Sequence, residues 1–177
     1  HIAVHDAARP LISPQLIDRV FAAAADHAAE IPGHPVAATL KRTQAVEASA
    51  KEPDPLDAIL GSADVAGDAP EIRRVTETID RSDVVEVQTP QVFERSLLQQ
   101  AYRQLAEGKW ADEPITDDAG LIERMGEPVH VVAGEATNLK ITRPDDLDLA
   151  ELITRDREQS RAASLGARRL FADEDED

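Results

Sequence analysis

The chain has 177 residues, 42% of them hydrophobic, which is enough to bury one sizeable core or a core with a small appendage. It contains no cysteine, which excludes disulfides and thiolate metal sites. It shows no apolar run of membrane-spanning length and no signal-peptide pattern, so we expect a cytoplasmic protein without a membrane partner.

The charge of the chain is strongly one-sided. Asp and Glu number 35 against 19 Lys and Arg, for a net charge of −16, and lysine occurs only at positions 41, 51, 109 and 140. Such a field repels nucleic acid and anionic lipid, so we expect neither as a partner. Abundant acids with few lysines are also typical of proteins from salt-accumulating cells, a halophilic composition that predicts greater stability in molar KCl.

A short apolar lead, residues 2–4, stops at the segment HDAARP at 5–10, and an amphipathic pattern follows. This order is typical of the carboxyl end of a buried strand, the edge at which open α/β sheets bind ligands. Asp6 offers an oxygen ligand suited to Mg²⁺, and Arg9 offers a planar fork suited to phosphate. The alternative is an Asp–Arg pair that only ties the loop together. Because the chain opens on His1, inside this strand, we expect a segment of the sheet to precede it.

Residues 14–29 predict the first helix, because their apolar side chains recur on one face at helical spacing. Ser13 is the expected N-cap, with Pro14 at the first helical position. The turn-forming residues 31–33 are predicted to end the helix, and residues 35–40 to form the next strand.

The region 41–87 predicts a β-arm that projects from the domain. Residues 44–70 are rich in Pro, Gly and acids and look like an inserted loop with at most a short helix at 56–60. Strand-like stretches follow at 72–79 and 84–87, with residues 80–83 as the turn between them. An arm with little core of its own is expected to pack on a second subunit, which predicts a homodimer.

The second half of the domain alternates helices and strands. A helix is predicted at 95–107, and a cap-like turn at 116–118 opens a short helix that ends at Gly126. Strands are predicted at 129–133 and 138–142. Together with the first half, this predicts an α/β fold.

The last helix is predicted from Pro144, with the domain ending near residue 153. Residues 154–177 are predicted to form a charged helical extension and a disordered acidic tail at 173–177. A phosphate-binding patch of its arginines is the alternative. Among the histidines only His5 lies near the candidate site. His27, His34 and His130 show no ligand spacing, so no zinc site is predicted.

The polar motifs of residues 1–153 resemble, in kind and in order, those of the sugar- and polyol-phosphate cytidylyltransferases, and most closely the 2-C-methyl-D-erythritol 4-phosphate cytidylyltransferase family. They are HDAARP at 5–10, TLKR at 39–42, TIDR at 78–81, QTPQVF at 88–93, TDDA at 116–119 and NLKIT at 138–142. The resemblance implies a Rossmann-like three-layer sandwich of the nucleotidyltransferase type, with a mostly parallel sheet.

The resemblance also implies transfer of CMP from CTP to 2-C-methyl-D-erythritol 4-phosphate, with Mg²⁺ as cofactor and release of pyrophosphate, in non-mevalonate isoprenoid biosynthesis. The attacking phosphate is already an anion, so this chemistry needs charge neutralisation and alignment rather than a side-chain nucleophile. By motif position, Lys140 meets the charge that develops on the phosphoryl group and Asp6 binds metal or substrate. Contacts to the polyol phosphate are implied for Arg9, Thr39, Arg81, Thr89 and Thr116.

Some of these residues also have plain structural interpretations. Lys140 could be an exposed lysine at a strand edge. Thr39 could serve strand propensity and Arg81 turn chemistry, whereas the resemblance implies that both reach into the neighbouring subunit's site.

The sequence departs from the family pattern in two places. None of its eight glycines forms the G-x-G of the loop with which the family holds CTP, and residues 44–70 look like an insertion. Three functions therefore remain open: the cytidylyltransferase just described, a related enzyme acting on ribitol or glycerol phosphate, and a truncated, non-catalytic dimerisation module.

Overall fold

The structure, a computed structural model, describes residues 1–46, 72–110 and 114–172. The chain divides into two compact units. The first unit comprises His1–Pro35 and Glu86–Asp177, and the second unit comprises Val36–Val85. Among the described helices, none combines the length and the apolar character needed to cross a membrane.

The described elements follow one another along the chain as β1 (Ile2–Val4), α1 (Pro14–Ala23), β2 (Ala29–Pro35), β3 (Leu40–Ala45), β4 (Arg73–Ile79), β5 (Val85–Val87), β6 (Gln91–Phe93), α2 (Arg95–Ala106), α3 (Asp118–Arg124), β7 (His130–Ala133) and α4 (Pro144–Ala172).

The five-stranded sheet of the first unit is centred on β2. Strand β6 is antiparallel to both β1 and β2, β7 is parallel to β2, and β5 joins the sheet beside β2. The predicted α/β class is confirmed. The described sheet is mixed rather than mostly parallel, because β6 returns antiparallel between β1 and β2.

Helices pack on both faces of this sheet, as consecutive residues of β6 show. Val92 packs with Leu16 and Val20 of α1, whereas Phe93 belongs to the cluster that holds residues of α2 and α3. Successive side chains of a strand point to opposite faces, so this alternation assigns the two helical layers to opposite sides of the sheet. Both clusters are fully buried at their centres.

Helix α1 begins as predicted and ends earlier than predicted. Ser13 Oγ accepts a hydrogen bond from the backbone N–H of Leu16 at 3.0 Å, which confirms the N-cap. The helix ends at Ala23, and the predicted helix end and strand, 31–33 and 35–40, are wrong because β2 runs over Ala29–Pro35. The alanines favour helix locally, but pairing with β6 and β7 decides the conformation of residues 29–33.

The helices α2 and α3 lie where the sequence predicts them. Asp117 caps α3, its side chain accepting from the backbone N–H of Gly120, and Gly126 follows the helix with a φ of 81°. The strand predicted at 138–142 is wrong, since this segment is irregular. Its polar atoms bond to side chains and to the loop after β1, which replaces a strand ladder.

Helix α4 continues through the predicted charged extension to Ala172. The extension is not wholly solvated, because Arg157 donates to the carbonyl oxygen of Leu11 at 2.8 Å and to Thr137 Oγ1 at 2.9 Å. The predicted acidic tail at 173–177 lies outside the described residues.

In the second unit, β3 and β4 form a two-stranded antiparallel sheet, with an irregularity between Arg42 and Thr43. The turn at residues 80–83 forms as predicted, with Asp80 Oδ1 accepting from the N–H of Ser82 at 3.0 Å. Its flanking strands do not pair with each other, since β4 pairs with β3 and β5 joins the other sheet. Most of the predicted insertion, with its helix at 56–60, lies outside the described residues.

Candidate active site

A cleft of about 410 Å³ lies at the carboxyl end of β1 and the amino end of β6. Its volume is in the range of small-molecule sites. Most of the site residues predicted from the sequence line it, namely Asp6, Arg9, Thr89, Thr116 and Lys140. The structure thus brings together groups from four separate segments of the chain.

The loop after β1 is folded onto the segment that precedes β6. The backbone N–H of Asp6 donates to Thr89 Oγ1 at 3.0 Å, and the same oxygen lies 2.9 Å from His5 Nδ1. The N–H of Arg9 closes the turn by donating to the carbonyl oxygen of Asp6 at 3.0 Å. Thr89 therefore positions the loop that presents Asp6.

The side chain of Arg9 is largely buried and joins this loop to two other segments of the chain. Its Nη1 donates to the carbonyl oxygen of Asn138 at 2.8 Å, and its Nη2 donates to that of Val87 at 3.3 Å. Its Nε lies 3.4 Å from Asp6 Oδ2. Because the guanidinium already binds two carbonyl groups, the geometry supports a positioning role for Arg9 better than a direct phosphate contact.

Lys140 and Asp6 form the charged centre of the cleft. Lys140 Nζ lies 3.1 Å from Asp6 Oδ2, and the side chains are 48% and 35% exposed. Burial alone would raise the pKa of Asp6, but the hydrogen bond and charge of Lys140, together with Arg9, outweigh burial and lower it. Asp6 is accordingly ionised at neutral pH, and Lys140 stays accessible to a ligand.

The irregular segment that carries Lys140 is anchored through the three residues that follow it. The N–H of Ile141 donates to the carbonyl oxygen of Ala8 at 2.8 Å, which joins the segment to the loop after β1. Asp146 Oδ2 accepts from the N–H groups of Thr142 and Arg143, both at 2.8 Å, and these bonds lower the pKa of Asp146. This end of α4 thus holds Lys140 beside Asp6.

A buried amide network supports the floor of the cleft. Asn138 is fully buried and donates from Nδ2 to the carbonyl oxygen of Thr89 at 2.9 Å and to Gln88 Oε1 at 3.3 Å. Gln88 also bonds both backbone groups of Glu135. A Cβ at Gly134 would stand 2.7 Å from Gln88 Oε1 and 3.0 Å from the backbone carbonyl carbon of Gly33, so the close packing here favours glycine.

Several cleft residues were not predicted as site residues. Gln91, buried in the cleft wall, donates to Asp117 Oδ2 at 2.8 Å and accepts from the N–H of Ala119 at 3.0 Å. Asp118 accepts a short hydrogen bond from the hydroxyl of Tyr102. The sequence could have predicted these residues, since Gln91 lies in the motif QTPQVF and Asp117 and Asp118 lie in the motif TDDA.

Thr39 and Arg81 belong to the second unit, where both are exposed. Arg81 Nη1 lies 3.4 Å from the carbonyl oxygen of Val36, to which it donates. Their implied role in a neighbouring subunit's site stays a prediction.

The histidines form one cluster that the sequence did not predict. His27 and His130, interpreted from the sequence as surface or core-edge residues without ligand spacing, are 45% and 42% exposed and stack on each other with ring centroids 3.9 Å apart. Both lie against the buried carboxylate of Glu30 in the first unit. His27 and Glu30 lie three residues apart, but His130 is distant in the sequence, so this cluster could not be predicted without the pairing of β2 with β7.

An α/β sheet with a charged cleft at the carboxyl end of its strands is the arrangement of enzymes that bind nucleotides and phosphorylated ligands. A family model described as IspD, 2-C-methyl-D-erythritol 4-phosphate cytidylyltransferase, matches residues 1–57 and 55–156. The chain belongs to this family.

Individual relatives agree with the family match. The chain is similar to the 2-C-methyl-D-erythritol 4-phosphate cytidylyltransferases of Nocardia farcinica, at 42% identity over 154 residues, and of Symbiobacterium thermophilum, at 40% over 153 residues. These alignments cover 86% of this chain and 53% and 52% of the relatives. The crystal structure of the enzyme of that name from Thermus thermophilus matches with a TM-score of 0.63 at 34% identity, over 86% of this chain and 61% of that chain. The chain spans about half the length of the curated relatives it matches.

Proposed function

We propose that this protein transfers CMP from CTP to 2-C-methyl-D-erythritol 4-phosphate, releasing pyrophosphate, as a step of non-mevalonate isoprenoid biosynthesis. The observation that carries the proposal is the Lys140–Asp6 pair, set in a cleft lined by residues of the family's motifs. The names of the relatives favour this acceptor over ribitol or glycerol phosphate. The nucleotidyltransferase type of fold, with 41–87 as a projecting arm, belongs to the same proposal.

The reaction joins an acceptor phosphate oxygen to the α-phosphorus of CTP while the bond from that phosphorus to the β-phosphate oxygen breaks. The acceptor oxygen is already anionic, so no proton has to be removed. Negative charge grows on the transferred phosphoryl group, and a fixed cation beside it lowers the barrier. Lys140 supplies that cation, and Asp6 holds its ammonium group in place.

The donor set of the cleft fits a magnesium ion. Mg²⁺ binds proteins through one or two carboxylates and otherwise through substrate phosphates and water. Lys140 and Arg9 both approach Oδ2 of Asp6, so Oδ1 is the oxygen that a further ligand would meet. Asp6 is the residue that would hold the ion, which when bound neutralises phosphate charge.

The other residues with proposed roles line the same cleft. Thr116, exposed at its rim, would donate to the acceptor, while Thr89 and Arg9 position the loop that carries Asp6. The glycine-rich loop with which the family holds CTP is not among these residues, so CTP binding is measured separately from turnover.

The experiment measures pyrophosphate release from CTP and Mg²⁺ with methylerythritol phosphate, ribitol phosphate and glycerol phosphate offered separately. Turnover with methylerythritol phosphate alone, lost in Lys140→Ala, supports the proposal. Turnover that prefers another polyol phosphate assigns the enzyme to that acceptor. A folded protein that neither turns over nor binds CTP is the non-catalytic module.

A homodimer formed through residues 41–87 is a further part of the proposal. An isolated two-stranded sheet is only marginally stable, and the described residues of β3 and β4 are almost all exposed, Val75 at 54%. Val75→Glu should shift the protein from dimer to monomer in analytical ultracentrifugation. Leu149→Glu, at a similarly exposed position on α4, serves as the control and should leave the dimer intact.

The proposal has two further parts. The protein acts in the cytoplasm, where CTP is available, and its stability is adapted to high salt concentration. The net charge of −16 implies strong self-repulsion at low ionic strength. The melting temperature should therefore rise steeply with KCl concentration. A melting temperature indifferent to KCl would remove the halophilic part of the proposal.

A further inference from the structure

A second cluster of chemically reactive side chains lies at the opposite end of the sheet from the cleft. Glu30 near the start of β2 is paired in register with His130, the first residue of the parallel strand β7. Ala29 and Ile31 pack in the cluster that contains Phe93, so Glu30 between them faces the side of the sheet that α1 covers. His27 reaches the same place from the loop after α1.

The carboxylate of Glu30 is buried and accepts no hydrogen bond from the part of the chain that the structure describes. Its side chain is 1% exposed, and within the described residues neither of its oxygens has a hydrogen-bond partner. His130 Nδ1 is likewise buried and unpartnered there. A buried carboxylate is unfavourable unless its charge is paired or it binds a metal ion, so a bound cation would satisfy these atoms.

The ligand atoms of the three side chains lie close together. Glu30 Oε1 lies 3.9 Å from His27 Nε2 and 3.9 Å from His130 Nδ1, and the three ligand atoms all lie within 4.8 Å of one another. Ligands bound to zinc at about 2.0–2.2 Å in a tetrahedron stand roughly 3.3 Å from each other. To bind zinc, the two 3.9 Å separations would have to shorten by about half an ångström, and the two imidazole rings would have to turn so that a nitrogen of each faces the same ion.

An ion pair between Glu30 and protonated histidines explains the arrangement less well. The separations of 3.9 Å are longer than hydrogen bonds. The two imidazole rings stack with an interplanar angle of 21°, and two imidazolium cations stacked in this way would repel each other. Neutral imidazoles, by contrast, carry the lone pairs that a metal ion needs.

We propose that His27, Glu30 and His130 bind a divalent transition-metal ion of the zinc class, with water completing its coordination. Two imidazoles and one carboxylate form a known zinc ligand set. The ion cross-links the loop after α1 to the starts of β2 and β7, and so stabilises the fold from the end of the sheet remote from the cleft. The site is independent of the proposed cytidylyl transfer.

The test titrates chelator-treated, untagged full-length protein with ZnCl₂ by calorimetry, and with CoCl₂ by visible absorption. We expect one zinc ion per chain with a micromolar or lower Kd, a saturating rise in melting temperature, and the d–d bands of tetrahedral cobalt. His27→Ala and Glu30→Gln should each weaken zinc binding by about tenfold or more. His27 is 45% exposed, so its replacement is compatible with folding even where that of Glu30 is not.

Two control variants test whether the ion binds at this cluster rather than elsewhere in the protein. His34→Ala, on the same strand β2, should leave zinc affinity unchanged, and so should Asp6→Asn in the cleft. The proposal is overturned by an absence of zinc binding, or by zinc binding that His27→Ala and Glu30→Gln do not weaken. Loss of zinc binding in Asp6→Asn would also overturn it, by placing the ion in the cleft.

Discussion

The ammonium group of Lys140 stands 3.1 Å from Oδ2 of Asp6, joining the segment before α4 to the loop after β1. Both side chains are substantially exposed, and ion pairs of this kind contribute only about 0–1 kcal/mol to stability. The pair therefore contributes little to stability, and its importance is that it presents a lysine and a carboxylate together in the cleft.

Replacing Lys140 by alanine should reduce kcat by about 10²–10³-fold, since a fixed cation beside the transferred phosphoryl group is lost. Lys140→Arg should restore part of the rate, because the charge remains while its position changes. The measurement is pyrophosphate release under saturating CTP and acceptor.

A measurement of stability distinguishes a loss of catalysis in Lys140→Ala from misfolding of the variant. The free energy of unfolding of Lys140→Ala should stay within about 1 kcal/mol of the parent value. Lys109→Ala is the matched control, an exposed lysine whose ammonium group donates to Gln104 outside the cleft, and it should keep full activity. Equal losses of activity in both variants would contradict the assignment.

The pKa of Asp6 should lie below its ordinary value of 3.8 in the folded protein. Burial opposes this shift, but Lys140 and Arg9 outweigh it, so Lys140→Ala should raise the pKa of Asp6. A carboxyl group with a lowered pKa contributes stability above its unfolded-state pKa, and this contribution is lost as the pH falls through the folded-state value. Carboxyl-carbon NMR titration of both proteins measures the shift, and an unchanged pKa in Lys140→Ala would show that the pair does not form in solution.

Asn138→Ala should lower the free energy of unfolding by about 1–3 kcal/mol, since the buried carbonyl oxygen of Thr89 and the side chain of Gln88 lose a donor. Urea unfolding should show a lower midpoint with an unchanged slope. Gln99→Ala, on an exposed position of α2, is the control and should change stability by less than about 0.5 kcal/mol. Similar midpoints for the two variants would mean that the network adds nothing.

Tyr102, the one tyrosine of the chain, offers a spectroscopic test of the cleft wall. Its hydrogen bond to Asp118, with burial and the charge of that aspartate, raises the pKa of Tyr102 from 10.0 to about 12. Ultraviolet titration of the folded protein should show this raised value, and Asp118→Asn should lower it. The control Glu107→Gln alters an exposed acid after α2 and should leave the titration in place. Identical curves for the parent and Asp118→Asn would rule out the hydrogen bond.

Several elements could be predicted because their determinants are local. Ser13 caps α1 through an N–H only three residues away, and Asp117 caps α3 in the same manner. The apolar face of α2 repeats at helical spacing, so its limits were predicted to within a residue. The polar motifs likewise contain most of the residues that line the cleft, although only five of these were predicted as site residues.

Strand pairing could not be predicted in the same way. Residues 24–28 are alanine-rich and favour helix, yet β2 begins at Ala29 because β6 and β7 pair with it there. The turn at residues 80–83 was recognised from its side chains, but the partners of its flanking strands were not. Turn chemistry is contained in four residues, whereas a strand's partner depends on segments far away in the chain.

By itself, the sequence determined the α/β class, the helix starts and the residue types that handle phosphate, because periodicity and capping act over a few residues. The tertiary structure decided which of these residues meet. It placed Lys140 against Asp6, buried Asn138 beneath the cleft, and gathered His27 and His130 around Glu30. These contacts arise from the packing of segments distant in sequence, since only the paired strands and the layers on them bring such side chains within bonding distance.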